Sequence, residues 1–228
     1  DPALVLPDCD FDFTVENLVD GAFYNSGQSC CGIERIYVHE DLHDRFVEAY
    51  VELTKKYVLG DPMRDGVGLG PMVNAAAAEH VRAQNRDAVT RGARALVADG
   101  HFAVPELSPC YLAPQVFDHV DHSMALMREE TFGPSIGIMR IRDEAEGVRL
   151  MNDSHYGLTA SIWTRDAEHG AALATQVEAG TVFLNRCDYL DPAMAWTGVK
   201  DSGHGVSLST LGFDQVTRPK NFHLRVSW

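Results

Sequence analysis

The stretch from Glu144 to Leu184, EAEGVRLMNDSHYGLTASIWTRDAEHGAALATQVEAGTVFL, decides the fold class. It predicts a helix over Glu144–Asn152, a strand over Thr159–Trp163, a helix over Ala167–Ala179 and a strand over Thr181–Leu184. A strand, a helix and a second strand in such short order form a right-handed crossover, which makes the two strands parallel. Working outward, Ser135–Ile141 reads as another strand, preceded by strands at Tyr111–Phe117 and Ala95–Ala98 around a proline-rich loop from Val104 to Pro109. Helical periodicity covers Asn74–Arg91, Asp41–Val58 and Asp12–Tyr24, and short apolar strands fall at Arg35–His39 and Ala3–Leu6. Loops are marked by Gly60-Asp61-Pro62 and by Gly66 to Pro71. The expected fold is therefore α/β, a mainly parallel twisted sheet flanked by helices. At the far end Phe222–Trp228 alternates apolar and polar residues and reads as an edge strand in need of a partner.

The 228 residues make one large domain, or one domain with an appendage; 45% are apolar and 23% charged, ordinary for a globular protein. Nineteen basic against 33 acidic side chains give a net charge of −14. That field repels phosphate backbones and anionic membrane surfaces, so no nucleic-acid or membrane partner is expected. No run approaches the roughly 18–20 apolar residues of a spanning helix, and no signal peptide opens the sequence, so a cytoplasmic location is the default expectation. Five cysteines, an odd number without C-x-x-C spacing, disfavour both a disulfide scaffold and a thiolate zinc site. The sequence starts at Asp1-Pro2 on a strand already in progress, which suggests part of something longer.

Several local patterns bear chemistry. Cys30 lies in Asn25-Ser26-Gly27-Gln28-Ser29-Cys30-Cys31-Gly32, between a helix and a strand, where turn amides can stabilise a thiolate or an oxyanion. A buried structural cysteine pair is the competing reading. Glu129-Glu130-Thr131-Phe132-Gly133-Pro134 sets two carboxylates before a turn and an aromatic; they suit sugar hydroxyls or base chemistry, against a solvated acidic turn. Asn185 ends a strand at the expected carboxyl edge of the sheet, where α/β folds gather binding groups, though asparagine also simply favours turns. Asp118-His119-Val120-Asp121-His122 has metal-ligand residue types but no supporting spacing, and no metal is expected. Gly66-Val67-Gly68-Leu69-Gly70 follows a helix, not a strand, and is a weak phosphate-loop candidate.

The order of these patterns is more telling than any one of them. Phe23-x-Asn25-x-Gly27-Gln28-x-Cys30, Gly60-Asp61-Pro62, Gly70-Pro71, Glu129-Glu130-x-Phe132-Gly133-Pro134, Tyr156-Gly157-Leu158, Gly180-Thr181-Val182-x-x-Asn185 and Gly198-x-Lys200-x-Ser202-Gly203-x-Gly205 follow one another as in the aldehyde dehydrogenase superfamily, which the sequence resembles from Asp1 to near its end. The resemblance implies that Cys30 is the nucleophile. Its thiolate would add to an aldehyde, the thiohemiacetal would pass hydride to NAD or NADP, and water would release the acid from a thioester. By the same resemblance Glu130 and Phe132 would hold the cofactor. Asn185, Phe23, Tyr24, Tyr189 and Leu190 would line the aldehyde tunnel, the last two within the loop Arg186–Leu190. Lys200 and Ser202 would be structural, and the terminal strand would join subunits into a homo-oligomer, a dimer or tetramer.

What the resemblance finds missing matters equally. A family subunit also has an N-terminal Rossmann-like cofactor domain, absent here, with the general-base glutamate expected just before Asp1. Residues 1–211 would then be the catalytic domain and 212–228 a tail with the oligomerisation strand, the C-terminal half of a subunit, inactive alone. Trp196-Thr197-Gly198 and His204 depart from the usual family residues, which leaves the subgroup open. Two other readings stand beside this one: a cofactor-independent thiol esterase or acyl-transferase using Cys30, and a non-catalytic oligomerisation partner.

Overall fold

The computed structural model describes residues 1–103, 108–187 and 189–227. The proline-rich loop expected over Val104–Pro109 lies largely outside the described residues, as do Asp188 and Trp228. In chain order the elements are β1 (Pro2–Val5), α1 (Phe11–Phe23), β2 (Arg35–His39), α2 (Glu40–Thr54), α3 (Ala75–Thr90), β3 (Arg94–Ala95), β4 (Gln115–Asp118), β5 (Ser135–Ile141), α4 (Glu144–Asn152), β6 (Tyr156–Gly157), β7 (Thr159–Trp163), α5 (Ala167–Ala174), β8 (Thr181–Leu184), β9 (Val199–Lys200) and α6 (Leu211–Val216). The main sheet runs β3-β4-β5-β2-β1-β7-β8, and every pairing is parallel except β3 with β4. The crossover read from Glu144–Leu184 is present as β7-α5-β8.

β1 and β2 sit mid-sheet, covered on both faces, so their residues are buried without alternation. One layer of core packs α1 and α2 on the sheet through Leu18, Phe23, Phe46 and Tyr50. The other packs α4 and α5 through Val148, Leu150, Met151 and Leu173. Capping follows the sequence: the side chains of Asn74, Asp143 and Asp166 accept the Ala77, Glu146 and His169 amides at the starts of α3, α4 and α5.

Four elements are markedly shorter than the sequence suggests, among them β3, which covers Arg94–Ala95 rather than Ala95–Ala98 because the Gln115 side chain takes both the amide and the carbonyl of Val97. α2 stops at Thr54, not Val58, because the Val58 carbonyl receives the amides of Gly68 and Leu69 and Tyr57 turns in against Phe23. α5 stops at Ala174 rather than Ala179, because Asn152 takes the Glu178 amide and donates to the Gln176 carbonyl, a pairing that replaces a last helical turn. β4 begins at Gln115, since the carbonyls of Cys110 and Tyr111 are already bound by the Met72 amide and by Arg82. Beyond the main sheet, β6 and β9 pair as an antiparallel ribbon that the sequence did not announce. The tail departs further from expectation. Phe222–Ser227 is exposed coil, not a strand, because alternation alone makes none without a neighbour's amides. The boundary expected between residues 211 and 212 falls inside α6, after its first residue.

Candidate active site

Three loops that are distant in sequence meet around Cys30. α1 ends in a tight turn, Tyr24–Gly27, in which Asn25, Ser26 and Gly27 all have positive φ. The Ser26 hydroxyl donates to the Gly70 carbonyl at 2.9 Å. Gln28 accepts the Val73 amide at 2.8 Å and donates to the Asn25 and Pro71 carbonyls at 3.1 and 3.4 Å. The Gly70-Pro71 motif thus anchors the cysteine loop. On its other side Gly27 lies against the backbone of Gly133, where any Cβ would overlap the Gly133 carbonyl. Glycine is needed there twice over, for φ and for space.

Cys30 is exposed on the ridge between two cavities. One holds Glu34, Glu129 and Glu130 along with Ser154, Tyr156 and Ser202. The other is walled by Asn17, Asp20, Tyr24, Cys31, Cys187 and Leu190. Among the described residues the Cys30 amide bonds to no acceptor, so it is available to a developing oxyanion. Cys31 is buried beside it, with its sulfur 3.5 Å from the Ser29 hydroxyl. Glu130 stands at the lip of the first cavity; its carbonyl receives hydrogen bonds from His80 (3.2 Å) and Gln84 (3.3 Å). Partial burial, and next the charge of Glu34, push its carboxyl above the usual glutamate range. The Phe132 ring is 39% exposed, and its backbone is left-handed, with φ at 48°.

Other expected site residues fall elsewhere. Phe23 is fully buried and packs edge-on against Tyr50 and Tyr57; it belongs to the core, and its neighbour Tyr24 is the one that reaches the cavity. Asn185 lies at the carboxyl end of β8, but the cavity with Glu130 opens at the amino ends of β1, β2 and β7. Both atoms of its side-chain amide are engaged by Thr164, Nδ2 donating at 2.7 Å and Oδ1 accepting at 3.0 Å, so it staples β7 to β8. Leu190 reaches the second cavity, and Tyr189 lies outside its wall, stacked under the Arg186 guanidinium at 3.3 Å.

The Asp118–His122 cluster does not converge. Asp118 pairs with Arg94 at 2.8 Å, Asp121 caps the Ser123 amide, and His122 is held between Tyr37 (2.8 Å) and Asp153 (2.7 Å). Among the described residues no three His, Cys, Asp or Glu side chains are placed to hold a metal ion. Gly66–Gly70 folds back on Val58–Gly60, and what it supplies to the site is the Gly70 carbonyl. Lys200 bonds the Asn152 carbonyl and Glu178, and Ser202 accepts the Gly157 amide, which fastens the β6–β9 ribbon.

One contributor escaped the sequence reading. Glu34 accepts the amides of Thr131 and Phe132 at 2.8 and 2.9 Å. The only local signal was an acidic residue placed directly before a buried strand.

The comparisons with known proteins bear on the family and the fold. An aldehyde dehydrogenase from Paenarthrobacter nicotinovorans is 35% identical over 96% of this chain and 47% of its own length. A solved structure bearing on cofactor and substrate selection by Gox0499 superposes with a TM-score of 0.92 at 30% identity, covering 99% of this chain and 49% of that one. NADP-dependent glyceraldehyde-3-phosphate dehydrogenase from Bacillus halodurans, complexed with NADP, gives a TM-score of 0.84 at 34% identity over 90% of this chain and 42% of that one. The chain thus spans about half the length of the curated relatives it matches. With the aldehyde dehydrogenase family model matching residues 1–222, the chain belongs to the aldehyde dehydrogenase family.

Proposed function

We propose that the chain is the thiol-bearing part, residues 1–211 with a tail at 212–228, of an enzyme that oxidises an aldehyde to a carboxylic acid with NAD or NADP. The observation that carries this reading is the position of Cys30, exposed between a carboxylate-lined and a tyrosine- and leucine-lined cavity on a loop braced from both sides. The thiolate adds to the aldehyde carbonyl, forming the S–C bond, and the Cys30 amide receives the resulting oxyanion. Gln28 and Ser26 keep that loop in place, so the donor is oriented before substrate arrives. Tyr24 and Leu190 offer the aldehyde's substituent an apolar wall, with Tyr189 and Asn185 shaping the loop that bears it.

The residues on the other side suit a dinucleotide. A carboxylate accepts from both hydroxyls of a ribose, which fits Glu130 in the cavity wall; Phe132, two residues on and outside that wall, is partly exposed and offers a flat apolar contact. When bound, the nicotinamide supplies the two-electron acceptor. Cys30 carries the acyl group as a thioester until water releases it. The intact cysteine loop together with the carboxylate cavity favours this reading over a cofactor-independent thiol enzyme.

Timed labelling with iodoacetamide, read thiol by thiol by mass spectrometry, tests it on the 228-residue chain. Cys30 is expected to react fastest of the five, with no NADH or NADPH formed from an aldehyde panel by this chain alone. Equal labelling of all five cysteines would remove the nucleophile assignment, and turnover that survives Cys30→Ala would overturn the mechanism.

A further inference from the structure

Glu34 lies four residues beyond Cys30 and on the wall of the cavity that Cys30 and Glu130 share. Its Oε1 receives two successive amides, those of Thr131 and Phe132, from a loop nearly a hundred residues further along the chain. Thr131 is buried, so its amide needs a protein acceptor. Phe132 is left-handed, a conformation that is strained for a non-glycine residue and persists where its surroundings over-determine it. Two converging amide bonds to one carboxylate oxygen do that, and charge makes each stronger than a neutral bond. The next residue, Gly133, is pinned against Gly27. The segment carrying Cys30 and the segment carrying Glu130 and Phe132 are therefore fastened at two points, Gly27 to Gly133 and Glu34 to Thr131–Phe132.

We propose that Glu34 is a positioning residue for dinucleotide binding: it holds the Glu130–Phe132 loop in the shape that presents both side chains to the cofactor, and fixes that loop relative to Cys30. The inference rests on the reading of Glu130 and Phe132 as cofactor groups.

The test compares Glu34→Ala, Glu34→Gln and Glu130→Gln in the full-length subunit carrying this sequence. Hydrogen exchange at the Thr131 and Phe132 amides, NAD+ and NADP+ titrations, and the Cys30 alkylation rate are the readouts. Glu34→Ala is expected to speed exchange at both amides and weaken dinucleotide affinity, each by about tenfold, with alkylation changed less than about twofold. Glu34→Gln keeps an acceptor oxygen and is expected to recover most of both losses. Unchanged exchange in Glu34→Ala would overturn the proposal, as would Glu34→Gln behaving like Glu34→Ala. If Glu130→Gln weakens binding and Glu34→Ala does not, positioning fails while the cofactor site stands. If neither weakens binding, the cofactor reading itself fails and this inference with it.

Discussion

Glu130 stays protonated to a higher pH than an ordinary glutamate because the cavity wall strips it of water and the Glu34 carboxylate repels its charge, while His80 pulls the other way. A ribose diol donates hydrogen bonds, so the ionised carboxylate is the form that binds it and the neutral acid binds it less well. Dinucleotide affinity is therefore expected to fall as pH drops through this raised value. Glu34→Gln removes a repelling charge and lets Glu130 ionise at lower pH, so the fall should move toward acid. Titrations of NAD+ and NADP+ between about pH 4.5 and 8, which brackets an elevated glutamate, would show the shift. A fall at the same pH in both proteins would mean that Glu34 and Glu130 are not electrostatically coupled. The same pair shows how much of the site the sequence disclosed. Cys30 and Glu130 were visible because each stands in a short motif. Glu34 was not, since its significance lies in amides far along the chain. Phe23 was placed in the tunnel beside Tyr24 although it shares the stripe of Val15 and Leu18, so helical phase alone assigns it to the core and Tyr24 to the surface.

The cysteine turn between α1 and β2 depends on two different kinds of restraint, and they should fail by different amounts. Gly27→Ala places a methyl into the Gly133 carbonyl at a positive φ, so backbone must move; a loss of more than about 2 kcal/mol is expected. Gln28→Ala removes side-chain hydrogen bonds to Asn25, Pro71 and Val73 at a partly exposed site, for which about 1–2 kcal/mol is appropriate. Urea unfolding of the 228-residue chain ranks the two, and a Gln28→Ala loss exceeding that of Gly27→Ala would refute the steric account of the glycine. Elements with strong periodicity and no competing side chain were legible to the residue: β2, β5, α4, β7 and β8 match their sequence-derived bounds. The ends that moved did so where a distant group captured the backbone, Asn152 at the end of α5 and the Gly68–Leu69 loop at the end of α2. Local propensity carries no information about such captures.

Beyond the sheet, the chain leaves an apolar surface that its charge alone would keep apart from other molecules. Leu211, Phe213 and Val216 are more than half exposed on α6, and Phe222, Leu224 and Val226 are at least 74% exposed at every second position of the tail. That alternation gives an extended segment one apolar face, which suits pairing with a second copy. A net charge of −14 opposes the encounter. Repulsion of this kind reaches about 30 Å at 0.01 M salt and about 3 Å at 1 M, whereas apolar contact is not weakened by salt. The two forces therefore predict opposite salt dependences. If the tail drives association, sedimentation velocity should show a shift from monomer toward dimer as salt rises from about 0.01 M to 0.5 M, as the charge is screened. Deleting residues 217–228 should then hold the chain monomeric at both salt concentrations while leaving its thermal unfolding nearly unchanged, because no described residue of that segment belongs to the core. Dimer that persists after the deletion would assign association to another face, and dimer that dissociates as salt rises would make it electrostatic.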